Sequence, residues 1–595
     1  MSTLENAKFT INYYKLNPLN LKYLEENYES TFEDLDNEYN PFRITNLQNY
    51  NPIYNDFFEL TDKNFNQIAL NNKYHIQDLN NVYHKDTKEI SKRPVFVKFG
   101  PLLDPVRYMI GKYDITDDKI RTMPTLKTTK DDCLPKILDK NNSAYVDSFF
   151  SFLTSILLNN HNFVHGLDYF GSFLGVQEKY KMNITDDLDY LKNSTFFNNN
   201  LGNYFSSQMN IQNNYNNFGS RGNKIKLNIS DTPNKLNISC DSLYDFEKEQ
   251  SKMENGGKND FETVYEKNIN EAKSASTSSS SSSSNNSEAN YSTEDENSET
   301  DDDESDENSE TDESSGSSEN SETDESGSSD TDNSEETQLF SYLNNFPVQM
   351  ICLEKCDGTL DELFEKDYID DVKGAAAMMQ IIMILLTYQK VFHFTHNDLH
   401  TNNIMFINTD KEYLFYKVND RIYKVPTFGR IFKIIDFGRG IYKFQGNQYC
   451  SDSFAPGGDG HTQYNCEPYM NENKPRIDPN YSFDLCRLGT SIYDFIIDID
   501  DKETDLDFFQ KIVLKWCMDD NGKNVLYKKN GDERYPNFKL YKMIARTVHN
   551  HIPEEQLNHE IFKLYELSKS ETENYKNSAF NEVMDIDTLP VYALK

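Results

Sequence analysis

Between Ser274 and Thr337 the chain carries 22 Asp and Glu and no Lys or Arg, opening on a polyserine run. A segment of this kind cannot bury enough apolar surface to offset its ordering entropy, so it reads as disordered. Whatever folds has to be assembled from the residues on either side. The change in composition reaches further, with Asn-rich sequence over 193–220, and sets the interruption at 178–345. Inside it Asn-Ser-Glu-Thr-Asp recurs at 297, 308 and 320. Taking the 22 acids from the formal net charge of −38 leaves −16 for the rest of the 595 residues. That remainder is moderately acidic and lacks the basic footprint of a nucleic-acid binder.

The flanks divide into an extension over 1–60, a first folded part over 61–177, a second over 346–570 and a tail over 571–595. The extension is rich in Asn, Tyr, Leu and Glu, and its aromatic residues suggest that it folds against the first folded part. Eight cysteines, at 133, 240, 352, 356, 450, 466, 486 and 517, form no Cys-x-x-Cys pair and have no His at zinc-finger spacing. They read as reduced thiols. Met1-Ser2-Thr3-Leu4-Glu5-Asn6 lacks the charged-then-apolar layout of a signal. Asp371 to Phe392 is apolar but reads as too short and interrupted for a membrane span. The expectation is a soluble intracellular protein without nucleic-acid or membrane partners.

The chemistry lies in His396-Asn397-Asp398-Leu399-His400-Thr401-Asn402-Asn403 and, downstream, Asp436-Phe437-Gly438. An Asp, an Asn five positions later and a second Asp on two loops suit phosphoryl transfer with Mg²⁺. One carboxylate orients the attacking hydroxyl, while the Asn carbonyl and the other carboxylate hold the metal against phosphates. The flanks fit: a buried helix over 371–392 ends before the first loop, a short strand Ile404–Ile407 comes after it, and Ile431–Ile435 leads into Asp436. Upstream, Pro94 to Phe99 alternates as a strand carrying Lys98. Asn142 to Leu158 has helical spacing with Ser143 near its start, and His161 to Phe173 reads as a strand pair. Phe346 to Glu354 reads as a strand leading into the polar turn before Leu360.

These motifs resemble the eukaryotic-type protein kinase superfamily, and their wording is similar to that of serine/threonine kinases of giant DNA viruses. The resemblance covers roughly 60–180 and 345–570. It implies an α+β, two-lobed protein kinase-like fold whose N-lobe is interrupted by the acidic insertion, which slow growth of loop-closure entropy tolerates. It implies ATP and Mg²⁺ as cofactors, with a protein as the second substrate. Asp398 would be the catalytic base or orienter, and Asn403 and Asp436 the metal ligands. Lys98 would grip phosphates; a strand Lys alone reads more readily as a surface residue, and the two loops tip the reading to phosphate. Leu353 would be the gatekeeper, with backbone groups of Glu354 and Cys356 on the adenine edge. His396, Phe437 and Gly438 would support the two loops. Asp484, five before Gly489, would fix the catalytic loop from the start of a helix near Tyr481. Asp147, the one acid in its helix, would brace Lys98 or serve as a first-turn acid favoured by the helix dipole. Residues 490–570 read as further amphipathic helices.

The pattern also breaks. The first glycine is Gly100, so no Gly-rich phosphate loop precedes Lys98. Phe65 to Tyr83 would supply the hairpin instead, turning at Asn71-Asn72. Asp147 stands where the family has a Glu. Asn397 replaces the Arg that reads an activation-segment phosphate, which implies activity not switched that way. His400 replaces a Lys and is similar to aminoglycoside and choline kinases. The expectation is transfer of the γ-phosphoryl group of ATP to Ser or Thr of proteins. The alternatives are a small-molecule phosphotransferase or a pseudokinase scaffold that docks partners through its acidic tract.

Overall fold

The alternating run around Lys98 forms the edge of an antiparallel sheet. The computed structural model describes residues 11, 13–15, 19–28, 39–185, 187–207, 339–498, 502–578 and 583–594. In it, strand Val95–Pro101 pairs with Phe340–Glu354, which pairs with Tyr169–Asn183, which pairs with Ile44–Gln48. Phe205–Ser207 also joins Phe340–Glu354. Ordered strand therefore extends into both ends of the stretch expected as an insertion. The acidic tract itself lies outside the described residues, so the expected disorder there falls outside them too.

Alternation gives this sheet two faces. Val95, Val97, Phe99, Met350 and Cys352 pack with Leu24, Phe42, Tyr74, Ile76 and Val82 in a core of their own. Phe96, Lys98 and Gly100 turn the other way, toward helix Ser143–His161. Asn142, rather than Ser143, caps that helix by accepting from the Ala144 N–H. Asn162 closes it in the left-handed region, φ +55°. The expected strand pair over His161–Phe173 does not form, because the helix runs through His161 and strand begins only at Tyr169.

The expected hairpin at Asn71-Asn72 is also displaced. Ile68–Leu70 pairs with Tyr13–Lys15, and Tyr74–Ile76 pairs with Asn81–His84 around a turn at 77–80. Asn72 is buried, and its amide donates to the carbonyls of Tyr74 and Tyr169. Asp78 makes the turn instead, accepting from the Asn80 N–H.

The second part is mainly helical. Asp370 caps Asp371–Phe392 by accepting from the Lys373 N–H, and His393 ends it at φ +51°. By length and composition this helix passes as a membrane span, contrary to the sequence reading. Within the protein, 94% of its most apolar window is buried in the core. Strands Ile404–Asn408 and Arg430–Ile434 pair antiparallel beyond it. Between them sits a hairpin, Tyr413–Val418 with Arg421–Pro426, joined in parallel by Val583–Asp585. The described residues 583–594, within the stretch read as a tail, pack on this part. Met584, Ile586 and Tyr592 are buried, and the Ala593 N–H bonds to Val391 O. Helices Phe483–Ile496, Phe508–Trp516 and Lys539–Thr547 complete this part. The result is a mixed α+β architecture with several antiparallel sheets. Among the described residues, seven cysteines are buried and unpaired.

Candidate active site

The site gathers at the junction of the sheet and the helices. Lys98 Nζ lies 2.6 Å from Asp147 Oδ2 and 2.8 Å from Asp436 Oδ1. Asp147 Oδ1 accepts from the Phe437 N–H at 2.9 Å, so one short carboxylate holds both the Lys98 strand and the segment after Asp436. Its reach depends on close packing. A Cβ built on Gly100 would meet the Ala144 Cβ at 3.0 Å, so strand and helix approach until the short Asp side chain suffices. Gly100→Val is therefore expected to push them apart. Asp147→Glu, one methylene longer in a buried site, should cost about 1–3 kcal/mol. Thermal unfolding checks both, and a neutral Asp147→Glu would refute the spacing account.

Shielding of part of the Asp436 carboxyl from water would by itself raise it. The Lys98 ammonium outweighs it and holds the group at about 2, so it stays ionised across physiological pH. Lys98 is pushed up in turn: burial opposes its charge, but Asp147 and Asp436 prevail. Phe437 is buried, with its ring 4.8 Å from that of Phe150. The Gly438 N–H lies 3.4 Å from Asp436 Oδ1.

A second network fixes the Asp398 loop. Buried Asp484 accepts from the N–H groups of His396 (2.9 Å) and Asn397 (2.8 Å). His396 Nε2–H donates to Ile435 O, and its Nδ1 accepts from the Asp398 N–H at 3.3 Å. Asn397 takes φ +66°, a conformation Asn tolerates. Its amide donates to Arg439 O and its Oδ1 accepts from the Tyr464 hydroxyl, so both its side-chain partners are neutral. Asn403 donates to Asp398 O and to His400 Nε2. Burial holds the His400 imidazole down to about 4, so it is neutral at pH 7.

Two oxygens fit a hard cation. Among the described residues, Asn403 Oδ1 and Asp436 Oδ2 have no hydrogen-bond partner, and the Asp436 side chain is 46% exposed. No described cluster of three or more His, Cys, Asp or Glu could cage a metal alone. An amide and a carboxylate oxygen are the hard donors that Mg²⁺ takes when it shares its shell with waters and phosphates.

At the start of the 354–357 turn, the Glu354 N–H is engaged by Asp168 O, and its carboxylate pairs with buried Lys433 at 2.5 Å. The backbone N–H and C=O of Cys356 have no backbone partner among the described residues. Leu353 is buried opposite Phe96, a ring left 49% exposed on the face that carries Lys98.

Three residues the sequence reading missed complete the site. The Tyr541 hydroxyl donates to Asp398 Oδ1 at 2.7 Å and accepts from Arg487 Nε at 3.0 Å. Arg439 and Arg487 both lie over the Tyr541 ring, at 5.2 and 5.1 Å from its centroid. Burial would raise the Asp398 carboxyl, but the two guanidiniums outweigh it and hold it below the usual carboxylate range. Arg487 carries the one readable signal, since it lies one turn beyond Asp484 on the same helix face.

No protein-family model matches this chain. A search of curated proteins finds no match either.

Proposed function

We propose that this chain is an ATP-dependent protein kinase with a two-lobed kinase-like fold, acting on Ser or Thr hydroxyls. The observation that carries the reading is the convergence at Lys98. Asp147 and Asp436 meet one ammonium from two separate segments, beside a loop that presents Asp398 and Asn403. A lysine so held is a fixed positive charge for nucleotide phosphates. Phe96, Leu353 and the open backbone groups of Cys356 suit the flat, hydrogen-bonding edge of adenine.

In the transfer, Asp398 orients the acceptor hydroxyl and takes its proton as oxygen bonds to the γ-phosphorus. The bond to the β-phosphate oxygen breaks, and ADP leaves. Mg²⁺, when bound, supplies the positive charge that offsets the phosphates. Asn403 and Asp436 would hold it. Asp484 keeps the loop in shape, and His396 ties that loop to the strand before Asp436.

The test is incubation of purified chain with γ-labelled ATP and Mg²⁺, with a basic and an acidic protein offered as acceptors. Label on Ser or Thr is the expected result. Label on a small metabolite alone would favour the small-molecule reading. ATP binding without transfer would favour a scaffold.

A further inference from the structure

Arg487 has more donors than partners. Its Nε is engaged by Tyr541, and its Nη1 has only a long contact of 3.4 Å to Thr490 Oγ1. Among the described residues, no carboxylate lies within ion-pair distance of it. A partly buried guanidinium presents five donors in a fixed fork, and its natural complement is a carboxylate or phosphate.

Its position says where that anion would lie. Tyr541 stands at Oδ1 of Asp398 with Arg487 behind it on the Tyr541 hydroxyl, whereas Asn403 binds the backbone carbonyl of Asp398. Asp398 Oδ2 has no hydrogen-bond partner among the described residues, which leaves it for an acceptor hydroxyl. Arg439 and Arg487 are the cations that act on Asp398. Helix Lys539–Thr547, which supplies Tyr541, carries Lys539, Lys542 and Arg546 and no acid. Arg546 donates to Thr462 O, on the loop whose Asp459 holds Arg439. On a chain of net charge −38 this is a local reversal of sign.

We infer that the acceptor is a Ser or Thr flanked by carboxylates, with Arg487 binding the flanking acid beside Asp398, an inference that rests on the phosphotransfer reading above. The chain itself carries such hydroxyls, in the Asn-Ser-Glu-Thr-Asp repeats at 297, 308 and 320. A carboxylate on Arg487 would anchor the peptide one or two residues from the hydroxyl on Asp398. The effect is on acceptor binding, and so on KM more than on kcat.

The experiment compares two synthetic peptides as acceptors for the full chain with Mg·ATP. One has the sequence of residues 297–324, and the other has every Glu and Asp replaced by Gln and Asn. Wild type should prefer the acidic peptide at least about tenfold in kcat/KM, mainly through KM, and the preference should shrink as salt screens it. Arg487→Gln should bring the ratio to within about twofold, and Arg487→Lys should restore part of it. If Arg487→Gln slows both peptides equally, its role is only to steady Tyr541 and Asp398, and the inference fails. It fails too if wild type does not distinguish the peptides. Should Arg487→Gln not fold, the wild-type ratio and its salt dependence still decide. Transfer to no acceptor at all would sink the phosphotransfer reading itself, a separate outcome from transfer without preference.

Discussion

Asp436→Asn is expected to leave the chain folded and to lower phosphoryl transfer by about a thousandfold or more, close to 4 kcal/mol of transition-state stabilisation. Folding should survive for three reasons. The side chain is 46% exposed, so the change leaves no buried void. Residue 436 sits at φ +61°, a conformation that Asn shares with Asp. Lys98 keeps its other carboxylate, Asp147, at 2.6 Å, so its charge is not stranded. Transfer should not survive, because an amide offers the metal a neutral oxygen and catalysis of this kind is nearly all charge and positioning. Asp398→Asn should cost a similar factor by a different route: nucleotide affinity is kept while the acceptor proton has nowhere to go. Single-turnover rates with γ-labelled ATP, beside nucleotide affinity from thermal shift, separate the two. Retention of more than a tenth of wild-type transfer by Asp436→Asn would remove that carboxylate from the mechanism.

What the sequence made legible was local. Helix Asp371–Phe392 occupies the residues its composition predicts, and strands Ile404–Asn408 and Arg430–Ile434 fall within a residue of expectation. The two loops are short, and residues five apart in one loop stay together wherever the chain goes. Asp147 was nominated through the resemblance, which implies an acid on this helix, and it is the one acid there. Its reach to Lys98 could not be read, because that depends on Gly100 lying against Ala144, two residues far apart in sequence. The same limit hid Tyr541, which lies 143 residues beyond Asp398, in a helix that looks ordinarily amphipathic. The misplaced hairpin shows another limit. Asn71-Asn72 has turn chemistry, but the Asn72 amide satisfies carbonyls inside the fold, a demand visible only once Tyr169 is beside it. The last residues read only as a tail, because Met584, Ile586 and Tyr592 are too few to mark a core-facing element without the strand they pair with.

Asp484→Ala is expected to do the most damage to structure of any single change near the site. The carboxylate has no exposed surface and accepts two backbone N–H groups, one on each oxygen. Truncation leaves both donors buried without partners, at about 1–3 kcal/mol each. Removing a buried charge returns part of that, since burial already disfavours the ionised Asp484 carboxyl. The net loss should be about 2–4 kcal/mol, concentrated in residues 395–403. Asp484→Asn should be intermediate, because the amide keeps one acceptor and turns a donor against the other N–H. Hydrogen exchange separates a local effect from a global one. In Asp484→Ala the amides of His396 and Asn397 should lose protection, while those of Asp371–Phe392 keep theirs. Transfer should fall further than stability, because the loop so released is the one that aims Asp398. Unchanged protection at His396 and Asn397 would mean that the loop holds its shape without Asp484, with His396 on Ile435 O and Asn397 on Arg439 O sufficient to do it.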